Sequence, residues 1–148
     1  SPRCTPEGLD CDEAARVCYV TAGAASSQSK PSGVQRGDYR IMITHRPAQR
    51  QRDEVSFHAG YPVSATKPVV GVIDKNKNFD FSRRNDKTPQ IIWTKDPDTD
   101  KAMIAALRSG KELVVNSVSQ RGTSTSDTFK LEGFAKALDL ANKACGLR

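Results

Sequence analysis

Long apolar runs are missing from this 148-residue chain. The longest reach four or five residues, far too short to cross a bilayer as a helix. Histidine is scarce, with His45 and His58 the only two, and no Cys-x-x-Cys occurs. Zinc-site spacing and thiol-oxidoreductase chemistry are therefore not expected. Nor is there a Gly-x-Ser-x-Gly that would place a serine beside a histidine. His58 has outward parity in its run and His45 lies at a strand end, so no triad assembles and no enzyme is expected. Asp96, Asp98 and Asp100 mimic the opening of a calcium loop. The match fails at Lys101, where glycine is needed, and at Leu107, where a bidentate glutamate is needed. Helix capping explains the three aspartates, and no metal or cofactor is expected. A leader-like opening is lacking too, which reads as a mature or trimmed chain exported by a signal peptide absent from it.

What the chain does have is positive charge and paired cysteines. Lys plus Arg number 23 against 17 Asp plus Glu, a net charge of +6. This favours acidic partners, although a modest excess also serves solubility alone. Arg46, Arg50 and Arg52 fall in one short basic stretch with His45 at its base. They form the candidate binding surface, for an anion or an acidic glycan. No aromatic interleaves them, so nucleic acid is not an expected partner. The cysteines stand at 4, 11, 18 and 145, which permits three connectivities. Disulfides imply an oxidising compartment. The preferred pairing is Cys4–Cys11, closing a small loop, and Cys18–Cys145, tying the first strand to the last helix. In the chain-entropy model these contribute at most roughly 2.5 and 5 kcal/mol.

Periodicity sets out one domain. Residues 1–12 are polar with Pro2, Pro6 and Gly8, an irregular arm ahead of a β domain over 13–148. Strands are expected near 14–22, 38–45, 53–61, 68–74, 79–81, 89–94, 111–119 and 125–131. Residues 23–37, rich in Ser, Gly and Ala, read as a loop. In the third strand Val55, Phe57, Ala59 and Tyr61 face inward, and Glu54, Ser56 and His58 outward. Asp96-Pro97 opens a helix that Gly110 closes in the left-handed conformation. Phe134, Leu138, Ala141 and Cys145 share one face of a final helix, so Cys145 points inward. The fold class is mainly β, an antiparallel β-sandwich or rolled sheet of about eight strands with two short helices, the last at the C-terminus. Arg36-Gly37-Asp38 is an integrin-type tripeptide at a loop-to-strand junction, where an adhesion motif can be displayed, but the favoured reading is structural, with Gly37 ending a loop and Asp38 blunting a strand start. Arg121 and Asp127 are expected to pair across the last hairpin, with Gly122 in its turn.

From Cys18-Tyr19-Val20 to Cys145 the chain resembles the invasion-associated locus B family of bacteria. The matching stretches are Arg46-Pro47, Glu54-Val55-Ser56 and Gly60-Tyr61-Pro62. They continue with Ile104-Ala105-Ala106-Leu107-Arg108, Gly110, Ser119-Gln120-Arg121-Gly122-Thr123, Asp127-Thr128 and Leu131-Glu132-Gly133-Phe134. The arm with Cys4 and Cys11 falls outside them. The resemblance implies an exported, β-rich, non-enzymatic protein of the periplasm or outer surface, linked in some members to entry into host cells, including erythrocytes. Its partner would be a host-cell surface protein or an acidic glycan. The runner-up reading is an envelope protein with a housekeeping or stress-protection role.

Overall fold

The computed structural model describes residues 16–147. The arm over 1–12, with Cys4 and Cys11, lies outside the described residues. Nine strands form a single antiparallel sheet: β1 (Cys18–Gly23), β2 (Ser26–Lys30), β3 (Arg40–Arg46), β4 (Gln51–His58), β5 (Val69–Ile73), β6 (Lys77–Ser82), β7 (Ile91–Thr94), β8 (Glu112–Val118) and β9 (Ser124–Lys130). Helix α1 (Pro97–Ser109) precedes β8, and α2 (Phe134–Ala144) ends the fold.

The spatial order is β1-β3-β4-β7-β6-β5-β8-β9-β2. Strands β1 and β2 are separated by only two residues, Ala24 and Ala25, yet occupy opposite edges of the sheet. So short a connection can join two edges only if the sheet curls until they approach. The result is a curled half-barrel, so of the two arrangements expected the rolled sheet is the one that forms. Within it, Phe57 on β4 meets Phe129 on β9 edge to face, ring centres 6.2 Å apart. Those strands are not neighbours in the sheet, so the contact spans its interior.

The inward parity follows the alternation in the sequence. Ile41, Ile43, Val55, Phe57, Leu113, Val115 and Phe129 are buried, and Met103 and Leu107 of α1 join them. Each large side chain removed from water contributes roughly 1.5–3 kcal/mol. At the start of α1 the Asp96 side chain accepts from the Thr99 N–H at 2.7 Å. Its end differs from expectation. Gly110 has φ −85°, an extended backbone and not a left-handed one. Glycine stands there because a Cβ would lie 2.7 Å from Ile73 and 2.9 Å from the Ala106 carbonyl.

Two further expectations are corrected. Strand β2, within the stretch read as a loop, pairs with β9 from Ser26↔Thr128 to Lys30↔Ser124. It is an edge strand held through its backbone, so its Ser-Ser-Gln-Ser-Lys sequence needs no apolar alternation. Glu54 and Ser56 face away from the interior, as expected, but are nearly solvent-free. Trp93 lies directly across from Ser56, and Arg46 and Arg84 close over Glu54.

The final helix follows its periodicity. Phe134, Leu138, Ala141 and Cys145 are buried. Cys145 is bonded to Cys18 with 6.0 Å between Cα atoms, well within disulfide range.

Candidate functional site

The basic stretch between β3 and β4 is shorter as a loop than its sequence suggests. Arg46 still belongs to β3, Pro47–Gln49 makes one 3-10 turn, and β4 resumes at Gln51. Arg50 closes the turn at φ 56° with its N–H donating to the Pro47 carbonyl at 3.0 Å. The three arginines then take different roles. Arg46 donates to Glu54 at 2.7 Å. Arg52 donates to Asp53 at 3.1 Å. The Arg50 side chain is exposed and has no partner among the described residues.

A residue the sequence reading missed completes this face. Arg84, from the loop after β6, donates to the other oxygen of Glu54 at 3.3 Å, and its guanidinium lies 4.6 Å from the centre of the Trp93 ring. One carboxylate thus holds two guanidiniums, one of them stacked on an aromatic face. Burial pushes the Glu54 carboxyl up, but the bonds and charges of Arg46 and Arg84 outweigh it and hold the group below its ordinary range. The cluster keeps a net positive charge. No periodic pattern links Arg84 to Glu54, which lie 30 positions apart.

The histidines are structural in placement. His45 shares the inward face with Ile41 and Ile43 and is fully buried. Its Nδ1 accepts from the Asp53 N–H at 2.9 Å, so the ring proton sits on Nε2. Burial lowers its pKa, against the opposing charge of Asp53. Burial also lowers that of His58, helped by the Arg40 charge. Of the three aspartates near α1, Asp100 is buried and accepts from the Val55 N–H at 3.1 Å and from the Thr94 hydroxyl. It staples α1 to β4 and β7. Among the described residues no group of three or more His, Cys, Asp or Glu stands ready for a metal.

Of the Arg36-Gly37-Asp38 tripeptide, Gly37 and Asp38 are exposed and Arg36 is turned in. The Arg36 side chain is 6% exposed and its guanidinium meets Asp127, itself fully buried, through two bonds of 3.0 and 3.1 Å. It also donates to the Ala59 carbonyl and lies between the Tyr39 and Tyr61 rings, 3.8 and 4.8 Å from their centres. Ser27 donates to Asp127 at 2.6 Å. Asp127 therefore pairs with Arg36 and not with Arg121, which overturns the expected hairpin pair. Arg121 has no partner among the described residues. Gly122 is in the turn as expected, at φ 90°.

No helix is long and apolar enough to cross a membrane among the described residues. The family model described as invasion associated locus B (IalB) protein matches residues 4–142. The match takes in the arm with Cys4 and Cys11, so the resemblance begins earlier than its matching stretches suggested, and it stops short of Cys145. No curated protein and no solved structure matches the chain.

Proposed function

The chain belongs to the invasion associated locus B family, and from that premise we propose an exported, non-enzymatic bacterial protein that supports host-cell interaction or invasion by binding an acidic surface partner. The observation that carries this reading is the pair of guanidiniums fixed on Glu54, with Arg50 exposed beside them on the hairpin. Planar guanidiniums held in place match sulfate and carboxylate groups two bonds at a time. An acidic glycan of an erythrocyte or other host surface is the partner this chemistry fits. The Cys18–Cys145 bond favours a periplasmic or outer-surface location. Binding is preferred to catalysis because His45 is shut from solvent with Nδ1 already engaged.

The test is elution from immobilised heparin and adhesion to erythrocytes. Arg50→Ser combined with Arg84→Ser should elute at lower salt and adhere less, and added salt should mimic the loss in the parent. Equal elution of variant and parent would remove the basic face from the reading. Protease treatment of intact cells separates the runner-up. Full protection of the protein would favour an envelope housekeeping or stress-protection role over direct host contact.

A further inference from the structure

Next to the Glu54 cluster two loops flank a cleft of about 270 Å³, residues 63–67 between β4 and β5 and residues 82–86 from the end of β6. Both loops are fixed by their own bonds. Ser64 Oγ accepts from the Thr66 and Lys67 N–H groups at 3.2 and 3.1 Å. Asn85 Oδ1 accepts from the Lys87 and Thr88 N–H groups at 2.8 and 3.2 Å. Arg83 joins the two walls by donating to the Val63 carbonyl at 3.2 Å. Buried Val69, Phe81 and Ile92 back the cleft. It is therefore shaped before any ligand arrives.

Its charge selects an anion. Lys67, Arg83 and Arg84 line it against a single carboxylate, Asp86. The Lys67 ammonium has no partner among the described residues. Arg83 shows which anion the cleft accepts, because its guanidinium donates to the Asp86 carboxylate at 2.7 Å. The Arg83 side chain is 12% exposed, whereas that of Asp86 is fully exposed. Asp86 thus stands where the carboxylate of a ligand would stand. An exposed partner contributes little, so the exchange is cheap. Uncharged polar groups complete the lining. Ser82 is exposed, and Asn85, with its oxygen engaged, keeps its amide N–H groups for a ligand. Such groups suit the hydroxyls of a sugar ring. The volume is just below the roughly 300–1,000 Å³ of sites for drug-sized ligands, which fits one ring and not a longer stretch. Arg84 belongs to both places, since it lines the cleft and donates to Glu54 on the basic face. A glycan on that face has one of its units within reach of the cleft.

We propose, on the basis of the glycan-binding reading above, that this cleft is the subsite for one carboxylate-bearing pyranose unit of the acidic glycan. Its carboxylate replaces Asp86 on Arg83 and meets Lys67.

The experiment titrates glucuronate, with glucose as the uncharged control, into the full chain and four variants while amide shifts are followed. Asp86→Asn removes the competing carboxylate and Lys67→Gln removes the free cation. Asp139→Asn and Lys143→Gln make the same charge changes on α2. Both cleft residues are exposed, so their variants keep the fold. Glucuronate should move the amides of residues 64–67 and 82–86, and glucose should not. Affinity should rise about two- to fivefold in Asp86→Asn, the worth of an exposed pair. It should fall about tenfold or more in Lys67→Gln, as a lost charged hydrogen bond implies. The α2 variants should bind like the parent. No shift at these loops, an equal response to glucose, or cleft variants that bind no differently from the α2 variants would each overturn the subsite. Retention of the parent on heparin separates the two levels. A parent that is retained but fails these tests keeps the basic face and loses the subsite, whereas a parent that is not retained loses both.

Discussion

Arg36 and Asp127 lie 91 positions apart and meet through two bonds from which solvent is almost excluded. The pair fastens the segment after β2 to β9, and the flanking tyrosine rings desolvate it further. A buried ion pair adds little relative to an apolar pair of the same shape, but a charge left without its partner is costly. Arg36→Met and Asp127→Leu should each cost roughly 3–5 kcal/mol. The double variant should cost much less than their sum. Urea unfolding of the four proteins measures this cycle. Single variants as stable as the parent would mean the clamp is incidental to the fold.

The disulfide closes a loop spanning 127 positions. In the chain-entropy model such a closure stabilises by up to about 5 kcal/mol. Replacing Cys18 and Cys145 together by Ala should lower the urea midpoint accordingly. Peptide mapping under non-reducing conditions should recover the two linked in the parent. Free thiols at both positions in protein taken from its native compartment would contradict the bond and the exported location together.

How far the sequence could be read depends on the range of the interaction concerned. Alternation placed Ile41, Ile43, Val55 and Phe57 on one face because side-chain parity is a local property of a strand. Helical spacing aimed Cys145 at the core for the same reason. Strand β2 escaped because an edge strand bonded through its main chain leaves no mark on side-chain polarity. Glu54 was given the correct face and the wrong environment, since Arg84, which closes over it beside Arg46, reaches it from outside the hairpin. The clamp made by Arg36 was not legible for a related reason: its partner Asp127 sits on the ninth strand, 91 positions away, and nothing near position 36 announces it.

A buried neutral histidine makes stability depend on pH. Burial holds the native His45 pKa below its ordinary value of 6.5, with Asp53 and Asn142 opposing and Arg52 assisting. Above both pKa values the ring is neutral in either state and its contribution is complete. As pH falls through 6.5 the unfolded chain takes up the proton first, so stability drops until the native ring also protonates. His45→Asn keeps an acceptor for the Asp53 N–H and does not titrate. Unfolding measured between about pH 7 and pH 5 should show a shallower loss in the variant than in the parent. His58, shifted the same way, supplies part of the slope that remains. Parallel slopes would assign the acid sensitivity to other groups.

Two glycines separate the cost of a backbone conformation from the cost of a close approach. Gly60 and Gly122 both have positive φ, 76° and 90°. Around Gly122 an added Cβ would meet nothing within 4 Å, whereas at Gly60 it would lie 2.5 Å from the Gly37 carbonyl oxygen and 2.9 Å from that of Asp38. Both of those are backbone atoms and have no rotamer by which to withdraw. Gly122→Ala should therefore cost only the left-handed penalty, about 1–2 kcal/mol. Gly60→Ala should cost roughly 3 kcal/mol or more, because it also forces residues 37 and 38 away and breaks the bond from the Gly37 N–H to the Gly60 carbonyl. Arg36 precedes that segment directly, so the displacement pulls its guanidinium from between Tyr39 and Tyr61. Urea unfolding gives the two costs, and hydrogen exchange at the Gly37 amide should speed up in Gly60→Ala alone. Equal costs, or unchanged protection at Gly37, would show that the approach of these two loops is not what requires glycine at position 60.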